Sequence, residues 1–235
     1  MTGIGVCTDA DIVIPDTYKN LPVTSIGRNA FQNCTSITSI TIPTSVTEIF
    51  WYAFDGCTSI KDVYYIGNIE GWLSISSFMR IGAQPLDYGA NLYFNNNLVT
   101  EIEIPDSFTS IPEGVFAGCT SLTSVIIPET VTVIEDLVFS RCTSLATVTI
   151  PDSVTSVGLG AFSGCTSLTS VTIGSSVKNI EIGMFSMCTS LTSIYFNGTV
   201  EQLNAVLKGS SVWANVPATE IICSDGTVTL KKTIY

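Results

Sequence analysis

The chain has 235 residues, 46% of them apolar and only 12% charged, with 9 basic side chains against 20 acidic ones for a net charge of −11. So few cations, with no run beyond Lys231-Lys232, argue against a nucleic acid partner or an anionic membrane surface, and no apolar stretch approaches the ~20 residues that cross a bilayer. There is no histidine, which removes the commonest general base and the commonest metal ligand together.

The opening, MTGIGVCTDADIVIP, has neither a basic n-region nor an apolar h-region, so it is not a signal peptide. A repeat is already under way at residue 10, and the chain reads as a fragment of a longer secreted protein without its leader. Over residues 10–66 the phrase CTSITSITIP begins at Cys34, and the next cysteine is Cys57, a step of 23. From residue 99 to 198 the same step recurs without interruption: Cys119, Cys142, Cys165 and Cys188 are each 23 apart, and CTSLTSVIIP, CTSLATVTIP, CTSLTSVTIG and CTSLTSIYFN follow them. Self-similarity at 20–50 residues is the mark of a stacked array, in which one unit cannot bury its apolar face alone.

Within a period the apolar slots recur in phase. The coil from Leu145 carries Val148, Ile150, Val154, Val157, Phe162 and Cys165, and the next carries Val171, Ile173, Val177, Ile180, Phe185 and Cys188. Val148 and Ile150 alternate with Thr147 and Thr149, which predicts a short strand with one buried face, ended by Pro151. A second extended piece is expected at Val154–Val157, and no coil holds a stripe long enough for a full helix.

Two segments depart from the rhythm. Between Cys57 and Cys119 the step is 62 where two periods would give 46, and the extra material falls in 67–98. A related departure starts at residue 199. The two begin alike, YIGNIEGW against FNGTVEQL. In the second, Thr199 and Gln202 form a capping box, and Val200, Leu203, Val206 and Leu207 make one helical stripe. The reading is a helical insert over 67–98 and a cap over 199–235, the latter closing the last coil.

Stacked cysteines at about 5 Å lie too far apart for a disulfide, which needs Cβ atoms near 3.8 Å, and a linear row does not converge on a metal; they are expected as buried thiols. No phosphate loop or calcium loop appears. Asn33-Cys34-Thr35 and Asn197-Gly198-Thr199 match the glycosylation sequon. Glu101 and Glu103 share one strand face about 6–7 Å apart, a spacing seen in glycoside hydrolysis, but one exposed strand supplies no cleft. The expectation is a chain without catalytic residues, metal or cofactor.

Two outward slots per coil give a surface mostly of Ser and Thr. The departures are Asp62, Tyr64, Glu101, Glu103 and Ile126, beside Trp72 of the insert, and these six are the candidate ligand-binding residues.

The pattern L-x-x-V-x-I-P…V-x-x-I-x-x-x-A-F-x-x-C-T-S, carried by Leu122/Val125/Ile127, Leu145/Val148/Ile150 and Leu168/Val171/Ile173 with Phe116, Phe139, Phe162 and Phe185, resembles the BspA-type leucine-rich repeat family over about 10–66 and 99–198. The resemblance implies a curved right-handed solenoid on the surface of host-associated microbes, with adhesion to host matrix proteins. The family shows similar tryptophan-containing inserts and a similar ending, here Cys223-Ser224-Asp225-Gly226. The resulting expectation is one leucine-rich-repeat domain over 1–235, a β-rich solenoid, monomeric and extracellular or on the cell surface. It takes a host matrix or surface protein, or a glycan. The alternative is a spacer that displays other domains of a longer protein.

Overall fold

A computed structural model describes residues 8–75, 83–180, 183–207 and 216–230. Cys7, Lys231-Lys232 and parts of the expected insert and cap lie outside these. The chain divides into two compact units. One runs to Val99 and adds Ala117–Ser121; the other holds Thr100–Phe116 and the chain from Leu122 on. Both are β-solenoid built from coils of about 23 residues, the leucine-rich repeat fold, with little helix.

In the first unit the strands are β1 (Asp11–Val13), the hairpin β2 (Thr17–Tyr18) and β3 (Leu21–Pro22), β4 (Ser25–Ile26), β5 (Ser39–Ile42), β6 (Glu48–Ile49) and β7 (Asp62–Tyr65). Helix α1 (Ile69–Leu73) follows, then β8 (Asn91–Phe94) and β9 (Asn97–Leu98). The sheet order is β1-β5-β7-β8-β9, parallel until the last antiparallel step. Ile12, Ile40, Val63 and Leu92 stack in register. The expected helical insert therefore needs correcting. Among the described residues it supplies one helix of five residues, capped by Asn68, and then a strand that pairs with β7 and continues the stack. Trp72 is held here, its ring against Tyr65 and Phe94 at centroid distances of 5.6 and 6.4 Å.

The second unit starts with β10 (Glu101–Glu103), β11 (Ser110–Ile111), β12 (Ser124–Ile126) and β13 (Val133–Ile134), followed by β14 (Thr147–Ile150), β15 (Ser156–Val157), β16 (Ser170–Ile173), β17 (Asn179–Ile180) and β18 (Ser193–Phe196). Helix α2 (Val200–Val206), β19 (Glu220–Cys223) and β20 (Gly226–Thr229) end it. The two strands expected per coil are present, the longer on one face and the shorter in a second ladder, β11-β13-β15-β17. The capping box forms as read: Thr199 Oγ1 accepts from Gln202 N–H at 3.2 Å, and Gln202 Oε1 accepts from Thr199 N–H at 2.7 Å. Leu203 is buried beneath the helix, and the Asp225 carboxylate, from the Cys-x-Asp-Gly turn, accepts from the Val200 N–H at 2.8 Å. Each unit thus ends its ladder with a short helix and an antiparallel hairpin. Gly67 and Gly198 are equivalent in the two endings, and a methyl group at either would collide with the ring of Tyr65 or Phe196.

Three kinds of side chain tie coil to coil. Phe116, Phe139, Phe162 and Phe185 stack with centroids 5.7, 5.4 and 5.6 Å apart, within the range of attractive aromatic pairs. The described cysteines are buried as expected, and several thiols have a use that sequence did not show. The Sγ of Cys142, Cys165 and Cys188 donates to the carbonyl of Phe116, Phe139 and Phe162 at 3.2, 3.1 and 3.1 Å. The neighbouring Cys188 thiol, together with burial, holds the Cys165 thiol well above its usual pKa. Threonine hydroxyls do the same at the surface: Thr123 Oγ1 donates to the Thr100 carbonyl at 2.8 Å and Thr169 Oγ1 to the Ala146 carbonyl at 3.2 Å. The Ser/Thr richness therefore builds coil-to-coil bonds as well as a polar face.

The residue before the cysteine sits in the left-handed region in every described coil: Asn33, Gly56, Gly118, Arg141, Gly164 and Met187 have φ of 59, 75, 78, 59, 74 and 61°. Only Gly enters this region without a Cβ penalty. Substitutions in this slot should therefore act with opposite signs. In urea unfolding, Gly164→Ala should destabilise by about 1 kcal/mol while Arg141→Gly stabilises by up to about 1 kcal/mol. Phe162→Ala, which opens a cavity in the ring stack, should cost about 3–5 kcal/mol.

Candidate binding surface

Alternation along each outer strand turns every second side chain away from the core. In the first unit the rungs of this face are Ser39/Thr41, Asp62/Tyr64 and Asn91/Tyr93, with Asp62 opposite Asn91 and Tyr64 opposite Tyr93. Asp62 Oδ1 accepts from Asn91 Nδ2 at 3.0 Å. The rings of Tyr64 and Tyr93 stack with centroids 4.5 Å apart and planes 24° from parallel. Burial first, then a hydrogen bond to Asp62 and that carboxylate's charge, raises the Tyr93 phenol above its ordinary pKa. Two predicted residues, Asp62 and Tyr64, thus belong to a four-residue group held by its own contacts. Such a group combines a carboxylate, an amide and two phenols on a rigid sheet, so little side-chain entropy remains to be lost on binding.

Asn91 and Tyr93 were missed because 67–98 reads as an insert. The signal was present: Asn-Leu-Tyr-Phe at 91–94 repeats the alternation of Asp-Val-Tyr-Tyr at 62–65. Trp72 must be withdrawn from the face. It is fully buried, because the helix N-cap at Asn68 turns this position toward Tyr65 and Phe94 rather than outward.

In the second unit Glu101 and Glu103 are exposed on either side of buried Ile102, and Glu103 lies opposite Ile126. Ile126 is 57% exposed, an apolar side chain where neighbouring coils carry Thr149 and Thr172. A further aromatic–aliphatic pair, Tyr195 opposite Ile222, stands exposed on the sheet formed by β14, β16, β18, β19 and β20. Thr147, Thr149, Ser170 and Thr172 fill the rungs between. Among the described residues no three Cys, Asp or Glu side chains converge as metal ligands.

Parallel strands in register from coil to coil, a phenylalanine and a cysteine in each coil, and a polar outer face define a leucine-rich-repeat solenoid. The chain belongs to the BspA-type leucine-rich repeat family of bacterial cell-surface proteins; the family's profile, described as BspA type leucine rich repeat region, matches residues 8–79 and 89–207 in six copies. Among solved structures it is similar to the T. pallidum leucine rich repeat protein TpLRR, with 28% identity, 78% of this chain and 67% of that one covered, and a TM-score of 0.36. A leucine-rich repeat protein from Eubacterium ventriosum is 18% identical over 83% of this chain and 76% of its own, with a TM-score of 0.49. A leucine rich cell surface protein from Faecalibacterium prausnitzii is 19% identical over 96% and 92%, with a TM-score of 0.35. No curated protein matches the chain.

The stacked pair has a titration signature. In ultraviolet difference titration, the component abolished by Tyr93→Phe should ionise above the ordinary tyrosine value of about 10, and Asp62→Asn should bring it down. Because the folded pKa is the higher one, the associated stabilisation is whole below the unfolded value and is lost as pH rises through the folded value. An unshifted Tyr93 would contradict the contact with Asp62.

Proposed function

We propose that the chain is a non-catalytic binding module of a bacterial surface protein, that it takes a protein or a glycan on the outer face of its solenoid, and that it serves adhesion to a host. The observation that carries this reading is the group Asp62, Tyr64, Asn91 and Tyr93. A solubilising face needs only Ser and Thr, and here two adjacent rungs replace them with stacked aromatics and a hydrogen-bonded carboxylate–amide pair. Rigid aromatics with polar groups beside them supply most of the energy at recognition surfaces. Glu101, Glu103 and Ile126 are the corresponding departures in the second unit. The role places the module outside the cell.

The spacer reading rests on a specific observation too: the run Thr147, Thr149, Ser170 and Thr172 carries nothing but small hydroxyl side chains. A solid-phase screen of the purified chain against matrix proteins and a glycan panel separates the two. Saturable binding that falls about tenfold or more in Tyr64→Ala and in Tyr93→Ala, a loss of hot-spot size, is the result expected. Binding that survives both variants would move the site elsewhere, and no binding to any member would favour the spacer.

A further inference from the structure

The outer ladder of the second unit stops at one step. Strands β10 and β12 pair with each other, and β14, β16, β18, β19 and β20 pair in turn, but β12 and β14 are not joined. The ladder behind them, β11-β13-β15-β17, runs across the same coils unbroken. One coil earlier the Ile104 N–H donates to the Ile126 carbonyl at 3.0 Å; the matching bond from Ile127 to Thr149 is not made. Val125 and Ile127 are each 8% exposed, against 0% for Val171 and Ile173 in the same slots. A cavity of about 360 Å³ opens there, lined by both strands, with Glu129, Asp152 and Asn197 at its end. That volume lies within the range of ligand sites.

One sequence difference accompanies the break. In this unit the residue preceding the strand is otherwise a threonine, and at Thr123, Thr169 and Thr192 its hydroxyl reinforces the backbone bond to the coil before. In the first unit Lys61 stands in that slot and its strand still pairs with β5 over four residues. The equivalent residue at the break is Ala146. Its N–H reaches the Thr123 carbonyl at 3.3 Å, where Thr123, Thr169 and Thr192 make the same bond at 2.7, 2.9 and 3.1 Å. Within this unit the missing hydroxyl coincides with the missing rung.

Buried backbone groups are almost always paired, and two strand edges facing one slot present donors and acceptors at strand spacing. Only an extended chain supplies both along three or four residues. We propose that the slot between β12 and β14 is a strand-acceptor site for an extended peptide whose backbone pairs with both edges and whose C-terminal end carries a lysine or arginine. The cationic end is set by Glu129 and Asp152 at the cavity's end and by the net charge of −11, since potentials across an interface are complementary. A seated strand needs its two neighbours about 9.6 Å apart, twice the ladder spacing. The unpaired front can open by this much while the intact rear ladder acts as the hinge. This site is separate from the Asp62–Tyr93 group and does not depend on it.

Residue-resolved amide exchange on the full chain tests the proposal, with the peptide Ac-Thr-Val-Thr-Ile-Pro-Lys-NH2 as probe. The Ile127 amide should exchange freely alone and slow about tenfold or more with saturating peptide, while the amides of Ser170–Ile173 stay unchanged. Ala146→Thr restores the hydroxyl; it should protect Ile127 without peptide and abolish the response. Glu129→Gln and Asp152→Asn should each weaken binding, as should a probe with norleucine in place of lysine. An Ile127 amide already protected in the unmodified chain, a peptide that slows no exchange, or an Ala146→Thr variant that binds as well as the parent would overturn it.

Discussion

Everything in this molecule rests on backbone pairing between equivalent residues of successive coils. One coil holds about seven apolar side chains and two strands too short to pair with anything of their own, so it has neither a core nor a ladder until the next coil arrives. Stacking supplies both at once: Val148 covers Val171 while the strand carrying one bonds the strand carrying the other. Cooperativity of this kind requires that every coil keep the same length and phase. That requirement, rather than any ligand, is why Cys-Thr-Ser-Leu recurs. The same constraint explains the side chains with no counterpart in an ordinary core. A thiol that donates to the preceding phenylalanine carbonyl, and a threonine hydroxyl that donates to the preceding coil, are useful only because an identical neighbour stands one ladder spacing away.

The period, the paired strands, the buried cysteines and the capping box at Thr199 were legible because each depends on local spacing or on repetition in phase. What was not legible depends on pairing across an irregular length. The segment 67–98 looked foreign because its step breaks the repeat count, yet Asn91–Phe94 falls back into register with Asp62–Tyr65. Asp62 to Asn91 is a step of 29, six more than a coil, and the rest of the added length follows Asn91, so the count fails while the pairing of β8 holds. Trp72 was grouped with the outer face because it stands in the insert beside the departing rungs; the N-cap at Asn68 sets the helix phase and turns it inward. The split after β12 coincides with one letter, Ala146 for Thr, a change that no hydropathy pattern registers.

A repeat that must match its neighbours leaves little freedom inside and some freedom outside. Departures from consensus at inward slots would be felt by two coils, whereas departures at outward slots are felt by none. Asp62, Tyr64, Asn91 and Tyr93 occupy such slots, and they hold one another through a stack and a hydrogen bond without disturbing Val63 or Leu92 beneath. Variation on this scaffold is therefore a matter of which rungs differ. The two endings, each a capped helix and a hairpin around Gly67 or Gly198, show the other place where the chain departs from its repeat: where a ladder has to be closed rather than continued.

The most direct measurement compares two deletions. Removing Thr143–Cys165 takes out one whole coil and joins Cys142 to Thr166 in phase, whereas removing Thr143–Val154 takes out roughly half a coil and leaves every later coil out of phase with those before it. Urea unfolding should show a single cooperative transition for the first protein, with an m-value reduced in proportion to the surface lost. The second should lose the transition over the second unit. Two deletions that unfold alike, or a half-coil deletion that folds as well as the whole-coil one, would contradict the claim that phase between identical coils holds this protein together.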